Sequence, residues 1–314
     1  MTSTLSALAP ADASARLHSS AGLRLATGPF VVSMRSPLRA VADAVATLYA
    51  DYPVLDDVGF VDFHVSVHRP FGIRRWWNKQ VVFGFEGEMP FNPLPGNQGF
   101  PLLEWGMNWC VYGLCHQYLI LHAAVLERNG RALILPAPSG SGKSTLCAGL
   151  LFSGWRLLSD ELTLICPQHG DIVPLPRPVS LKNQSIAVIQ NFAPQAHFGS
   201  MVEETSKGVV AHFRPPADAI ARATHRAMPA WVVMPKFAAG QPAQLKPIEK
   251  AKALMNLIEN AFNYDVFGLP GFELLRSVVD RSQCFSFEYS HLPDAIALFS
   301  RLADGQSMTA NASA

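Results

Sequence analysis

Short apolar runs separated by turn residues fill the first third of the chain. Leu38, Val41, Val45 and Leu48 recur at helical spacing, which predicts a helix over residues 38–49. Three other runs cluster β-branched and aromatic residues and predict strands, at residues 30–34, 60–67 and 80–85. The pattern therefore predicts a small α+β domain over residues 23–100, which ends in a linker rich in proline and glycine.

The pattern changes after residue 100, where helical and strand-like runs alternate. Residues 118–127 and 131–136 are apolar, and Asn129 and Gly130 between them are typical of a β-hairpin turn. Further buried strands are predicted at residues 155–158, 162–165 and 231–234, and helices at residues 102–118, 143–153, 249–262 and 293–302. We expect an α/β domain with a mixed sheet over residues 101–304.

The two ends of the chain lack this periodicity. Residues 1–22 are rich in Ala and Ser but have no apolar run preceded by positive charge, so we expect a disordered leader and not a signal peptide. The polar residues 305–314 are expected to form a disordered tail.

Composition narrows the classes of function. The 314 residues are 49% hydrophobic, which is enough for a substantial core. The formal net charge is only +1, so no overall field favours nucleic acid or an anionic membrane, and no run is apolar enough to span a bilayer. The five cysteines show neither zinc-site nor disulfide spacing. We therefore expect a cytoplasmic protein that binds neither nucleic acid nor membrane.

Residues 137–145 read Ala-Pro-Ser-Gly-Ser-Gly-Lys-Ser-Thr, which predicts a phosphate-binding loop between a strand and a helix. Gly140 and Gly142 let backbone N–H groups converge on an anion, and Lys143 reaches the β- and γ-phosphates of a nucleotide. Ser144 stands at the start of the helix, where its hydroxyl can bind Mg²⁺. The usual motif begins with Gly, and here that position is Ala137. Further candidate ATP-binding residues are Ser139, Ser141 and Thr145.

An acidic pair follows the predicted loop helix. Asp160 is the candidate catalytic base or hydroxyl-orienting group, and Glu161 the candidate magnesium ligand. Adjacent strand residues point to opposite faces, so the two share a site only if the chain bends there. A solvated turn at a strand end is the alternative interpretation.

Isolated basic residues supply further candidates. His122 lies in an apolar strand, where it is either a core residue or a partner that orients Asp160. Four cations stand in irregular segments and are each either substrate contacts or ordinary surface charges and structural ion pairs: Arg177, Lys182, Lys207 and Arg214.

These motifs resemble a known family. His122, the hairpin, Ser139-Gly-Ser-Gly-Lys-Ser144 and Leu158-Ser-Asp160-Glu161 resemble the catalytic domain of HPr kinase/phosphorylase, whose distant fold relatives include the phosphoenolpyruvate carboxykinases. The whole chain is most similar to the HPr kinase-related kinase A family, on the segments Leu103-Glu-Trp-Gly-Met-Asn-Trp-Cys110, Pro176-Arg-Pro-Val-Ser-Leu-Lys-Asn183 and Asn260-Ala-Phe-Asn-Tyr264.

The resemblance implies a phosphate-loop domain with a mixed sheet and an ATP-dependent kinase that acts on a serine hydroxyl. It further implies that Asp160 is the base and that His122 supports it. The acidic pair is Asp-Glu here where the parent family has Asp-Asp, which keeps the first carboxylate and changes the second.

We therefore expect a kinase that uses ATP and Mg²⁺, with an unidentified peptide, protein or small molecule as acceptor. Two other hypotheses stay open: a nucleotide-binding regulatory or assembly protein with little or no transfer, and a phosphotransferase for a small metabolite. A homo-oligomer is compatible with each of these hypotheses.

Overall fold

The computed structural model describes residues 3–56, 59–72, 79–138 and 140–306. The chain forms two compact units, and each is assembled from separate stretches of sequence. The first unit contains Met1–His116, Val173–Ala187 and Gln195–His225, and the second contains Gln117–Ile172, Val188–Pro194 and Arg226–Ala314. The prediction of an α/β protein with a mixed sheet is confirmed, since parallel and antiparallel strand pairs share a sheet in both units.

A five-stranded sheet with the order β1-β2-β3-β4-β5 forms the centre of the first unit. The apolar face of α2 is buried through Val41, Val45 and Leu48, as the helical spacing predicts. The third strand starts later than predicted because Phe60 is 75% exposed. The elements are α1 (Pro10–His18), β1 (Leu23–Thr27), β2 (Phe30–Arg35), α2 (Arg39–Leu48), β3 (Phe63–His68), β4 (Gln80–Phe85), β5 (Leu94–Pro95) and α3 (Gly99–Leu114).

The described part of the predicted disordered leader, residues 3–22, contains a 3-10 turn and a helix. Helix α1 begins with Pro10 at its first turn and buries Ala13 and Leu17, and Leu5 in the preceding 3-10 turn is also buried. Three apolar side chains therefore fix the segment in spite of its Ala- and Ser-rich composition. Of the predicted tail, only Gly305 and Gln306 are described, and both donate backbone hydrogen bonds to the last turn of the final helix.

Helix α3 belongs to the first unit, so the predicted domain boundary at residue 100 is wrong. Its Gly106 lies against the Phe83 ring so closely that a Cβ would come within 2.1 Å of a ring carbon. The first unit also contains a three-stranded antiparallel sheet with the order β11-β13-β12. Its later elements are β11 (Val179–Lys182), β12 (Val202–Thr205), β13 (Gly208–Phe213) and α6 (Ala217–Ala221).

The second unit is built on an eight-stranded mixed sheet. Its path is β10-β9-β6-β7-β14-β16-β15, and β8 pairs with β6 beside β9. The strands are β6 (Leu119–Arg128), β7 (Arg131–Pro136), β8 (Arg156–Ser159), β9 (Leu162–Ile165), β10 (Ile172–Val173), β14 (Met228–Phe237), β15 (Gln244–Pro247) and β16 (Gln283–Tyr289). The helices are α4 (Lys143–Leu151), α7 (Lys250–Glu259), α8 (Tyr264–Phe267), α9 (Leu269–Arg281) and α10 (Leu292–Ala303), and α5 (Gln184–Phe192) falls across the unit boundary.

The β6–β7 hairpin is confirmed. Asn129 and Gly130 have φ of 56° and 75°, the left-handed values that a tight hairpin turn of this kind requires. Alternate residues of β6, among them Leu121 and Ala123, join the core that α7 and α9 cover. The residues between them face the other side of the sheet, and α4 packs against β6 and α10. None of the helices within the described ranges is long and apolar enough to cross a bilayer.

Candidate functional site

A loop rich in glycine joins β7 to α4, in the place that the sequence predicts. We call residues 137–142 the glycine loop. Gly140 and Gly142 have φ of 87° and 86°, a backbone conformation that side chains with a Cβ rarely adopt. Ala137 is buried, whereas Gly140 is exposed. Ser139 lies outside the described residues.

Two residues from distant strands hold the glycine loop. The Phe237 N–H at the end of β14 donates to the Ser141 carbonyl at 2.8 Å, and the Tyr289 hydroxyl at the end of β16 donates to the Gly142 carbonyl at 2.9 Å. In a trans peptide the C=O and N–H groups point in opposite directions. The N–H groups of Gly142 and Lys143 lie at the N-terminus of α4 and therefore point away from the ends of β14 and β16.

The start of α4 carries the predicted phosphate and metal contacts. Lys143 is the first helical residue and is only 6% exposed, while Ser144 and Thr145 are half-buried. The first N–H groups of a helix have no partner within it and carry partial positive charge. This end of α4 therefore combines a lysine, hydroxyls and backbone donors, the groups that bind a phosphate.

Asp160 and Glu161 form a bend between β8 and β9, two strands that pair in succession with the same edge of β6. The Leu162 N–H donates to the Ser159 hydroxyl at 3.2 Å across this bend. Asp160 is 6% exposed and Glu161 is half-buried. In a continuous strand the two carboxylates would point to opposite faces of the sheet. The bend interrupts the strand at this point, as a site shared by Asp160 and Glu161 requires.

Cys147 connects α4 with this bend. Burial raises the pKa of its thiol well above the usual range, and the Asp160 carboxylate, which accepts a hydrogen bond from the thiol, raises that pKa further, while Lys143 lowers it. The charges of Lys143 and Asp160 therefore both act on the Cys147 thiol.

His122 lies on β6 opposite Leu162, the first residue after the acidic bend. Its ring is half-buried and lies 5.8 Å from the Phe262 ring, and its backbone N–H donates to the Asn260 carbonyl at 2.7 Å. This arrangement leaves the ring on the sheet face opposite the α7–α9 core. Its support of Asp160 stays a prediction.

The segment after α7 is fixed to the start of β6 by one side chain. The Asn263 Oδ1 accepts from the Ile120 N–H at 2.9 Å, and its Nδ2 donates to the Tyr118 carbonyl at 2.9 Å. Asn263 is 3% exposed. Residues 260–263 therefore form the border of β6 beside His122, a role that the sequence pattern did not indicate.

The four predicted substrate cations belong to the first unit, and three of them have structural partners. Arg177 is buried and forms an ion pair with Glu104 at 3.4 Å. For this residue the structure shows the structural ion pair that was one of the two predictions. Arg214 pairs with Asp51 at 3.4 Å, and the Lys207 ammonium lies 5.4 Å from the Trp105 ring centroid. Lys182 ends β11 and is half-buried.

The residues fit magnesium only together with a nucleotide. A hydroxyl at Ser144 and a carboxylate at Glu161 are oxygen donors of the kind that Mg²⁺ takes. Within the described ranges, no group of three or more His, Cys, Asp or Glu side chains could hold an ion alone. Magnesium at such sites usually keeps several waters and is held partly by substrate phosphates.

Comparison with known proteins gives limited matches. A family model described as SynChlorMet cassette protein ScmC matches residues 106–183, which include the glycine loop and the acidic bend. No curated protein matches the chain. Among solved structures, the Hpr(Ser) kinase/phosphatase from Coxiella burnetii is similar over 59% of this chain and 98% of its own, with 11% identity and a TM-score of 0.27. A likeness of this degree defines neither fold nor activity.

Proposed function

We propose that the protein is a kinase that uses ATP and Mg²⁺ and transfers the γ-phosphoryl group to a serine-type hydroxyl. The observation that carries the proposal is that the glycine loop leaves β7 where Pro136 pairs with Ala123 of β6, and the acidic bend leaves β8 where Ser159 pairs with Val125 on the other edge of β6. The predicted phosphate-binding lysine and the predicted catalytic carboxylate therefore follow strand ends at the same end of the sheet. Phosphoryl transfer needs these two groups together, one for the charge of the donor and one for the acceptor hydroxyl.

In this proposal the second unit binds the nucleotide phosphates. The N–H groups of Gly142 and Lys143 and the ammonium of Lys143 hold the phosphate oxygens, since the bonds from Phe237 and Tyr289 fix the carbonyls on the opposite side. Ser144 and Glu161 would hold the metal ion. When bound, Mg²⁺ supplies positive charge that neutralises the phosphate oxygens.

Asp160 acts on the acceptor. Its carboxylate accepts the proton of the acceptor hydroxyl as the oxygen attacks the γ-phosphorus, and the bond to the β-phosphate oxygen breaks. The bend that carries this carboxylate is closed by the hydrogen bond from the Leu162 N–H to the Ser159 hydroxyl. Burial at 6% exposure keeps bulk water away from the carboxylate.

Two substitutions test the proposal. Lys143→Ala should weaken nucleotide binding and reduce transfer by about 100-fold or more, because it removes a charge that stabilises the transition state. Asp160→Asn should bind Mg-ATP nearly as wild type does and lose about 100- to 10,000-fold in turnover. Binding is measured with a fluorescent ATP analogue, and transfer with γ-labelled ATP and a lysate of the native host.

The same assay separates the competing functions. Undiminished transfer by a folded Lys143→Ala protein would contradict the proposal. Nucleotide binding without any labelled product would instead support a regulatory or assembly role. A labelled low-molecular-mass product other than ATP and inorganic phosphate, without labelled protein, would identify a phosphotransferase for a small metabolite.

A further inference from the structure

A wide groove lies in the first unit. It has a volume of about 1410 Å³ and is bordered by α2, the ends of β3 and β4, the start of α3 and residues 198–202. Cavities that enclose drug-sized ligands measure roughly 300–1,000 Å³. The groove therefore exceeds what a small metabolite fills and suits an extended chain.

The floor of the groove is apolar and closely packed. Val41, Leu48 and Phe100 line it and are at most 8% exposed. Glycines allow the neighbouring segments to approach this floor: a Cβ at Gly99 would lie 2.8 Å from Val41, and one at Gly199 would lie 2.9 Å from Leu48. The chain itself therefore covers Val41 and Leu48, and the apolar surface open to a ligand is that of the half-buried lining residues Leu38, Ala44 and Phe198.

The rim of the groove is cationic. Arg39, Arg69 and Lys79 line it and are exposed. Among the described lining residues the only carboxylate is Asp43, which lies 3.7 Å from Arg39 in a pair that is 94% and 70% exposed. A pair so exposed is strongly screened by water. Within the described ranges, Arg69 and Lys79 have no acidic partner within 4.0 Å.

Phe71 adds an aromatic group at the same edge. It also lines the groove, is 88% exposed and lies 5.8 Å from the His68 ring. Exposed aromatic residues beside cations are typical of surfaces that bind peptides.

We propose that this groove binds an extended acidic peptide segment of a partner protein. Carboxylates of the segment pair with Arg69 and Lys79, and its apolar side chains pack against Leu38, Ala44 and Phe198. The chain as a whole carries a net charge of only +1, so the attraction to acidic segments is local to this groove. The site lies in the unit without the glycine loop, so the proposal does not depend on kinase activity.

Binding to the full chain without nucleotide provides the test. The probe is a fluorescein-labelled peptide of alternating Glu and Leu, compared with one of alternating Lys and Leu, by fluorescence anisotropy. The Glu-Leu peptide should bind more tightly, and its affinity should fall as salt increases. The Arg69→Glu, Lys79→Glu double variant should weaken binding by about tenfold or more, because two favourable charge contacts become repulsive.

The matched control reverses two exposed cations elsewhere. Arg222→Glu with Lys252→Glu changes the overall charge equally, and neither residue lines the groove. This control should bind the peptide like the wild type. Equal loss in both double variants, or equal binding of both peptides, would overturn the proposal.

A second variant blocks the groove without altering charge. Ala44 is a half-buried lining residue on α2, so Ala44→Trp should fill the groove and abolish peptide binding while circular dichroism stays unchanged. If that variant does not fold, the charge reversals decide alone. Two results would assign the groove to another occupant and overturn the proposal: binding of a single-stranded oligonucleotide in place of the peptide, or self-association that the groove variants abolish.

Discussion

At the scale of single residues, Gly142 and Gly140 illustrate two different reasons for a glycine in one loop. Both have φ near 86°, so a side chain at either position strains the backbone. At Gly142 a Cβ would also lie 2.7 Å from the Tyr289 hydroxyl and 3.0 Å from the Phe237 Cβ, whereas Gly140 has open space around it. A substitution at Gly140 therefore tests backbone strain alone, whereas one at Gly142 tests backbone strain together with a steric clash.

We expect Gly140→Ala to destabilise the protein by about 1–2 kcal/mol, the cost of a left-handed residue with a Cβ. Gly142→Ala should cost more and should weaken nucleotide binding further, because the Tyr289 contact displaces the loop. Removing the hydroxyl with Tyr289→Phe should recover part of that loss in the double variant. Urea unfolding and nucleotide titration are compared for the wild type, the three single variants and the Gly142→Ala, Tyr289→Phe double variant. Equal losses at the two glycines would refute the steric explanation.

Single residues also show what a sequence reveals about a site. Lys143, Asp160 and Ser144 belong to local motifs, so their places at the start of α4 and on the bend after β8 could be predicted, and their chemical roles stay predictions. Tyr289 could not be predicted, since it acts on a carbonyl 147 positions earlier and no motif surrounds it. Arg177 was ambiguous for the same reason: an isolated cation gives no sign of a partner at Glu104, 73 positions away.

At the scale of elements, prediction worked where turn chemistry and periodicity agreed. The β6–β7 hairpin and α4 follow the sequence closely, because Asn129-Gly130 and the glycine loop restrict the backbone locally. Strand β16 was not predicted. Its aromatic residues Phe285, Phe287 and Tyr289 alternate with polar residues, which is the pattern of a half-buried strand. Helix α1 was missed because a composition of Ala and Ser obscured two buried positions.

The segment beside β6 offers a test at this scale. Asn263→Ala should destabilise the protein by about 3 kcal/mol, because it leaves the buried N–H of Ile120 and the carbonyl of Tyr118 without their partner. Asn260→Ala is the matched control: its amide donates locally to the Asn256 carbonyl at 2.8 Å and to the Asn256 Oδ1 at 3.5 Å, so the loss should stay below about 1 kcal/mol. Urea denaturation measures both, and a similar loss in each would contradict the anchoring role.

At the scale of the whole molecule, the chain enters the first unit, leaves it and returns to it twice. The Tyr52 hydroxyl donates to the Pro176 carbonyl at 2.9 Å, across 124 positions of sequence. A Cβ at Gly199 would lie 2.9 Å from Leu48. Contacts between such distant stretches leave no periodic or compositional mark, so a division into consecutive domains at residue 100 was the natural but wrong prediction.

This organisation predicts that residues 101–304, the kinase domain expected from sequence, do not fold independently. The fragment keeps β11, β12 and β13 but loses α2 and the five-stranded sheet. Residues of the fragment that pack against the missing part, such as Gly199 against Leu48, become exposed. Several kcal/mol of apolar burial disappear with it, comparable to the whole stability of a domain. Full-length protein should unfold cooperatively in urea, while the fragment should aggregate or show no sharp transition by circular dichroism. A soluble fragment with a cooperative transition and native-like nucleotide binding would show that the second unit is autonomous after all.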